Sequence, residues 1–349
     1  MFDGLSLPLL LLTFAVAAGA VWVAGIWLSN ATDLLSKKLG IGQALGGLLV
    51  LAVATNLPEI AITFSAARAG QVDVAVGNLL GGIAIQTVVL AVLDAARSRK
   101  GEPLTYRAAD LGLVLEALVV LAVLAAVVMG TQLPSNLIAL RVTPGGALIL
   151  VIWTVGVWLV GRGAKHLPWH ATGDAPGGQA SRAGEEGAAK TPGGTTKAAL
   201  VFLAGAAITL VGGVVLERSG DAIAGHIGMT GVLFGATVLA AATSLPELST
   251  GLASLKLGDD KLAVSDIFGG NAFLPTLFVL ASVVSGRAVL PLAHKSDVYL
   301  TALGMLVTVV YAFGLILRPR KQILRMGVDS FVVIVVYALG VVGLVALAR

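Results

Sequence analysis

Ten stretches of this sequence are each long and apolar enough to form a helix that crosses a lipid bilayer. The hydrocarbon core asks for roughly 20 apolar residues per helix. Runs of that kind fall at about 7–28, 42–67, 72–95, 108–131, 143–162, 198–216, 229–254, 262–286, 297–317 and 327–348. Only 12% of the 349 residues are charged, and the mean hydropathy is +0.95. Soluble domains carry about 25% charged residues. Soluble enzymes, DNA-binding domains and disordered chains are thereby excluded together. The fold class expected is an all-α polytopic membrane protein of ten transmembrane helices. With no cysteine in the chain, disulfides, thiolate metal sites and cysteine nucleophiles are excluded as well.

The leading MFDGLS has no Lys or Arg. A cleaved leader wants a basic start, so the first apolar run is expected to be retained. Residues 163–197, with GGQASRAGEEGAAKTPGGTTK inside them, are rich in small and polar residues and show no apolar periodicity. They read as a flexible cytoplasmic linker between a first unit, 1–162, and a second, 198–349. Lys and Arg set orientation in the membrane. With the N-terminus outside and ten alternating spans, 17 basic residues fall on the cytoplasmic side and 6 outside. Both termini are then external, in a multi-pass protein of the inner membrane.

The chain repeats itself at an offset of 188 residues. LGGLLVLAVATNLPE (45–59) lies over LFGATVLAAATSLPE (233–247) with 10 of 15 positions identical. AVGNLLGGIA (75–84) lies over AVSDIFGGNA (263–272) with 5 of 10 identical. Each unit holds five spans, an odd number, so the second copy is expected to enter the membrane upside down. Inverted repeats of this kind place a transport site at the midplane between the copies.

The repeated segments carry the polar residues. An ionisable group at the bilayer centre costs about 2.5–3.5 kcal/mol even on lenient scales, yet Glu59 and Glu247 each stand mid-span at equivalent positions. Each follows a proline, Pro58 or Pro246, which removes a backbone donor and opens carbonyls around Ala52–Thr55 and Ala240–Thr243. Thr55 and Glu59 are four apart on one helical face, as are Thr243 and Glu247. Carboxylate, hydroxyl and carbonyl are hard oxygen ligands, suited to Na⁺ or Ca²⁺. The competing reading is a pair of protonated glutamates that hydrogen-bond helices together.

In the next span Asn78, Gly82 and Gln86 step by four. The second copy gives Asp266, Gly270 and Leu274 at the same steps, with Asn271 beside them. Glu116 and Asp110 read as interhelical hydrogen-bonders. Asp94, Asp297 and Asp329 lie near span ends and read as solvated. His166, His170, His226 and His294 show no metal-like grouping, and no phosphate loop or hydrolase motif occurs. Neither catalysis nor a cofactor is expected, and no nucleotide or nucleic-acid partner.

These residues resemble the cation/calcium exchanger superfamily of prokaryotic type, which includes the sodium/calcium exchangers. Its hallmark is a pair of inverted alpha-repeats, each with a G-T-S-L-P-E-type segment followed by a G-N-x-x-G-S-N-type segment. Here the first elements are A-T-N-L-P-E and A-T-S-L-P-E, and the second are G-N-L-L-G-G and S-D-I-F-G-G-N. The alpha-repeats fall at about 42–95 and 229–286. The resemblance implies that Glu59 and Glu247 are the central carboxylates, with Thr55 and Thr243 as flanking oxygen ligands and Asn56 and Ser244 beside them. It implies outer ion positions at the carbonyls of Ala52 and Ala240, and alternating access by sliding of spans one and six. The family serine of each G-S-N is glycine here, Gly82 and Gly270, and the polar residue four further on is Gln86 or Leu274.

The function expected is secondary active cation antiport: Ca²⁺ exported in exchange for H⁺ or Na⁺. The lost oxygen ligands favour the proton. The alternatives are Na⁺/H⁺ exchange and a non-transporting membrane sensor or scaffold with a degenerate site. Inorganic cations and the lipid bilayer are the partners expected.

Overall fold

The structure is a computed structural model that describes residues 2, 4–39, 51–98, 101–166, 195–229 and 234–347. Most of the expected linker, 167–194, lies outside the described residues, as do 40–50 and 230–233 at the heads of two expected spans. The architecture is helical. α1 (Leu7–Leu39) is followed by α2 (Ala52–Thr55), α3 (Leu57–Ala69), α4 (Val72–Ser98), α5 (Leu104–Ala108), α6 (Leu111–Thr131) and α7 (Pro144–His166). After the linker come α8 (Thr195–Ile227), a π-helical turn Gly235–Leu239, α9 (Ala240–Thr243), α10 (Leu245–Leu257) and α11 (Asp260–Phe273). A 3₁₀ turn Leu274–Thr276 leads into α12 (Leu277–Ser285), then α13 (Lys295–Leu317) and α14 (Val328–Leu347). Before α14, β1 (Gln322–Ile323) and β2 (Met326–Gly327) form a two-residue hairpin. Its turn residues Leu324 and Arg325 both have positive φ, 51° and 66°, as such a tight turn requires.

Among the described residues eight spans are long and apolar enough to cross a membrane: Leu7–Thr32, Val72–Arg97, Leu111–Thr131, Pro144–Gly163, Thr196–Ile227, Asp260–Ser285, Lys295–Leu317 and Val328–Leu347. The stretches 42–67 and 229–254, expected as spans opened at their prolines, are broken there among the described residues. Asn56 and Ser244 leave the helix (φ −85°, ψ 15° and φ −81°, ψ 4°), and the helix restarts with Pro58 or Pro246 in its first turn. Proline is tolerated there because a first-turn amide has no intrahelical acceptor. α3 and α10 then end alike, at Gly70 and Gly258 in the left-handed conformation (φ 77° and 81°).

The main core gathers Leu79, Leu80 and Ile83 of α4 with Val120 and Leu124 of α6, Ile267 and Phe268 of α11, Phe278 of α12 and Val307 of α13. A smaller core joins Leu10 and Val21 of α1 to Leu216 and Ile223 of α8, with Ile62 of α3 against them. α4 and α11 are the most enclosed spans, whereas α1 and α8 are mostly exposed. The exposed residues on them include Leu12, Val16, Leu203 and Val211; continuous apolar surface of this kind belongs against lipid.

α1 and α8 touch the proline-broken helices through glycines 188 residues apart. A Cβ on Gly25 of α1 would meet the Pro246 Cα at 2.9 Å, and one on Gly213 of α8 would meet the Pro58 Cα at 2.7 Å. Each outer helix thus lies backbone to backbone on the glutamate-bearing helix of the other unit.

Polar contacts sort the loops into two ends. Asp260 pairs with Arg97 (2.7 Å) and Arg107 (2.8 Å), Lys261 pairs with Asp110 (2.7 Å), and Arg318 donates to the Tyr106 carbonyl. Asp73 and His294 meet at 3.4 Å, and Arg141 donates to the Val283 carbonyl. The alternation of spans derived from the sequence puts the first group of loops on one side and the second on the other.

Candidate functional site

The two helix breaks bring Thr55, Asn56 and Glu59 together with Thr243, Ser244 and Glu247, and α4 and α11 close over them. Thr55, Asn56, Glu59, Asn78, Gln86, Thr243, Ser244, Glu247, Asp266 and Asn271 are all buried, at 2% exposure or less, as are Ala52 and Ala240. The pairing is crossed. The Thr243 side chain lies beside Glu59 and the Thr55 side chain beside Glu247, and the two glutamates are electrostatic neighbours.

Glu247 Oε1 accepts from Gln86 Nε2 at 3.3 Å, and the same amide donates to Asn56 Oδ1 at 3.1 Å. Glu247 Oε2 and both oxygens of Glu59 make no hydrogen bond among the described residues. Asp266 bridges the units: Thr250 donates to its Oδ2 (2.6 Å) and Thr55 to its Oδ1 (3.4 Å). Among the described residues Asn78 has neither side-chain atom bonded, and Asn271 donates to Thr87 Oγ1 at 2.9 Å with its own carbonyl oxygen unbonded. A buried polar group without a partner costs about 1–3 kcal/mol.

The carbonyls expected to be open are engaged. Ala52 O accepts from Asn56 Nδ2 (2.6 Å) and from the Asn56 amide (3.2 Å). Ala240 O accepts from Ser244 Oγ (2.7 Å) and the Ser244 amide (3.1 Å). Asn56 and Ser244 thereby add a side-chain bond to carbonyls that already accept the ordinary backbone amide four residues on, so the helix break leaves neither of them open. No three His, Asp or Glu side chains among the described residues converge closely enough to hold a metal ion as they stand. The site pairs two carboxylates with hydroxyls and amides instead.

The glycines and Leu274 answer one another across the site. A Cβ on Gly82 would lie 3.6 Å from Leu274 Cδ1, and one on Gly270 would lie 2.7 Å from Asn56 Nδ2 and 3.4 Å from Gln86 Oε1. Each long side chain uses the space left by the other unit's glycine.

Three threonines were not singled out from the sequence. Thr250 holds Asp266, Thr87 receives Asn271, and Thr63, four residues after Glu59, is fully buried with a hydroxyl that has no partner among the described residues. The four-residue step Thr55–Glu59–Thr63 was the available signal for Thr63.

Elsewhere, Glu116 accepts from Ser265 (3.0 Å), and Asp110 caps α6 through the Gly112 amide (2.7 Å) besides pairing with Lys261. The solvated reading of Asp94, Asp297 and Asp329 is overturned, because all three are buried. Asp94 accepts the Leu104 and Gly327 amides and Asp297 the His294 amide. Neighbouring loops fold over these span ends.

The sequence model of the family described as Sodium/calcium exchanger protein matches residues 9–160 and 197–346. The chain belongs to the sodium/calcium exchanger family. Membership supports cation antiport across a membrane and indicates no enzymatic activity. Among relatives of this exchanger, the putative antiporter CaxA of Alkalimonas amylolytica is 29% identical over 268 residues, 76% of this chain and 78% of that one. The inner membrane protein YrbG of Escherichia coli is 26% identical over 284 residues, 81% of each. Two solved structures share the fold. The sodium-calcium exchanger NCX_Mj, soaked with Na⁺ and Sr²⁺, superposes with a TM-score of 0.66 at 16% identity, over 97% of this chain and 99% of that one. The H⁺/Ca²⁺ exchanger CAX gives 0.64 at 14% identity, over 97% and 87%.

Proposed function

We propose that this exchanger exports Ca²⁺ from the cell in return for H⁺ or Na⁺, with the proton preferred, by alternating access at the Glu59–Glu247 site. The observation that carries the reading is the crossed pair itself. Two symmetric carboxylates, three of their four oxygens without a hydrogen bond among the described residues, lie buried beside the hydroxyls of Thr55 and Thr243. Two carboxylates neutralise one divalent cation, and protons or Na⁺ neutralise them when it leaves. Asp266, Asn78, Asn56, Ser244 and Asn271 supply further oxygens around the pair, and the Ala52 and Ala240 carbonyls join once Asn56 and Ser244 release their side-chain bonds to them. Gly82, Gly270 and Leu274 occupy places where oxygen ligands for Na⁺ are wanted, which is why the proton is preferred, while Gln86 offers its amide oxygen. The CAX relative is described as an H⁺/Ca²⁺ exchanger, in keeping with that choice.

In this reading the architecture is ten transmembrane helices in two inverted five-helix repeats, 1–162 and 198–349, joined by a cytoplasmic linker. The broken stretches 42–67 and 229–254 count as spans, both termini are outside, and α1 and α8 slide on the Pro246 and Pro58 surfaces. The sorting of loop contacts into two ends supports the alternation. The deciding experiment is ⁴⁵Ca²⁺ uptake into everted membrane vesicles under an imposed pH gradient, and separately under an imposed Na⁺ gradient at clamped pH. Uptake driven by the pH gradient is expected. Uptake driven by Na⁺ alone would reverse the preference, and Na⁺ movement without Ca²⁺ movement would favour monovalent exchange.

A further inference from the structure

Away from the glutamate pair, two connections carry the same tight turn. Between α6 and α7, Ala139 and Val142 exchange both backbone hydrogen bonds (3.0 and 2.9 Å) around Leu140 and Arg141. Between α13 and α14, β1 and β2 close around Leu324 and Arg325. All four turn residues have positive φ, 51° and 62° in the first turn, 51° and 66° in the second. Such turns ordinarily take Asn-Gly or Asp-Gly, and a branched leucine in the left-handed region is strained. The same Leu-Arg pair nevertheless stands at both, 184 residues apart. Both leucines point away from the protein, Leu140 at 97% exposure and Leu324 at 75%, so neither is there to fill a core.

The two turns differ in charge. Arg141 is the only Lys or Arg in 132–143, and it donates to the Val283 carbonyl at 3.1 Å. The segment 318–327, RPRKQILRMG, holds Arg318, Arg320, Lys321 and Arg325 and no acidic residue. Its base is fixed. The guanidinium groups of Arg318 and Arg320 sit over the Tyr106 ring, at 5.1 Å and 4.8 Å. Gln322 donates to the Gly101 carbonyl at 2.6 Å, and the Val328 amide to the Lys321 carbonyl at 3.2 Å. A Cβ on Gly327, or on Gly314 of α13, would overlap the buried Asp329 carboxylate, so β2 lies close on the helices. Lys321 and Arg325 are exposed and form no ion pair among the described residues.

We infer that the 318–327 hairpin binds the headgroup of an anionic phospholipid, with Lys321 and Arg325 on its phosphate and Leu324 among the first acyl carbons. Depth supports this. α14 has 20 residues, about 30 Å of helix, which matches the hydrocarbon core. The hairpin that precedes it therefore stands at headgroup level. It also continues an apolar surface, because Ile316 and Leu317 at the end of α13 are 58% and 73% exposed. Basic clusters just beyond a spanning helix attract anionic lipid, and an apolar side chain beside them gains burial at the acyl boundary. An acidic protein would satisfy the cations and leave Leu324 in water. A hairpin already fixed at its base loses little freedom on binding. The Leu140–Arg141 turn, with one cation, lacks the charge to select an anionic headgroup.

The test uses the full chain, purified in detergent and freed of lipid. The probes are phosphatidylglycerol, phosphatidylcholine and inorganic phosphate, each read as a shift in Tm. Phosphatidylglycerol is expected to raise Tm more than phosphatidylcholine, and by less as salt is added. Lys321→Gln with Arg325→Gln is expected to bring the two lipids level. Arg141→Gln, which removes a charge at the other turn, is expected to keep the difference. Leu324→Asn separates lipid binding from turn strain. Asparagine tolerates the left-handed region, so lipid-free Tm is expected to rise while the shift with phosphatidylglycerol shrinks. Equal shifts from both lipids in the wild-type chain would overturn the proposal. So would a preference that the Lys321→Gln, Arg325→Gln protein keeps, that Arg141→Gln removes as fully, that Leu324→Asn leaves undiminished, or that inorganic phosphate reproduces. None of these readouts depends on which ion is exchanged, so the transport reading is judged separately by flux.

Discussion

The segments 52–98 and 240–285 share a backbone plan and differ in chemistry. Both break at a polar residue before a proline, place a glutamate three residues after that break, and close on a left-handed glycine. Their second helices then diverge. α4 runs unbroken for 27 residues, whereas Pro275 turns the equivalent helix through 3₁₀ geometry at Leu274–Thr276. The first segment carries neutral amides, Asn56, Asn78 and Gln86, the last of which donates across to Glu247. Around Glu247 the second arranges a further carboxylate, Asp266, held by two hydroxyls. The common plan fixes where the two glutamates stand, while the differences gather negative charge on the second segment and amide groups on the first. Near-identical frames thus yield a site that is symmetric in geometry and asymmetric in charge.

The comparison can be broken most forcefully at its shared element. Glu59→Gln and Glu247→Gln each keep size and remove the charge, and each is expected to abolish Ca²⁺ flux in reconstituted vesicles while the protein stays monodisperse. Wild-type flux in either would end the equivalence of the two positions.

Next in size is the charge asymmetry. Asp266→Asn is expected to weaken cation affinity by at least the about 10–100-fold seen when a ligand's supporting partner is lost. Asn78→Asp, which makes the segments alike, is expected to strengthen it. Apparent Km for Ca²⁺ across the two variants is the measurement, and equal shifts of one sign would remove the asymmetry.

Leu274 offers a smaller lever. Leu274→Asn is expected to lower Tm without ions, because a buried side chain packed toward Gly82 is lost. It is also expected to enlarge the rise in Tm on adding Na⁺ or Ca²⁺, because an oxygen ligand is gained. No enlargement would mean that position 274 faces away from the ions.

The mildest test concerns the outer helices. Gly213→Ala and Gly25→Ala put a methyl against the Pro58 and Pro246 backbone, where overpacking costs about 1–3 kcal/mol. Each is expected to lower Tm by a similar amount and to slow flux. A large effect from one and none from the other would show that α1 and α8 are not equivalent.

Glu59 and Glu247 could be read from the sequence because an ionisable residue in an apolar run is expensive wherever the helix packs. The prolines marked the helix breaks for an equally local reason: a missing amide cannot be supplied by any neighbour. Thr250, Thr87 and Thr63 were not legible. A threonine in an apolar helix ordinarily returns its hydroxyl to its own backbone, as Thr154, Thr209 and Thr308 do here. Only the approach of another helix gives it a second use. The same limit explains Asp94, Asp297 and Asp329. Position near a span end does not reveal whether a loop will cover that end.

By itself, then, the sequence determined that this chain lives in a bilayer, that it was built from two related segments, and that two glutamates stand at their centres. Each follows from costs local to one helix. The crossed pairing of Thr55 with Glu247 and Thr243 with Glu59, the Gly82–Leu274 and Gly270–Gln86 contacts, and the burial of Asp329 between Gly314 and Gly327 were decided by tertiary structure alone. Each depends on which helices meet and at what height, and packing between distant segments sets that register.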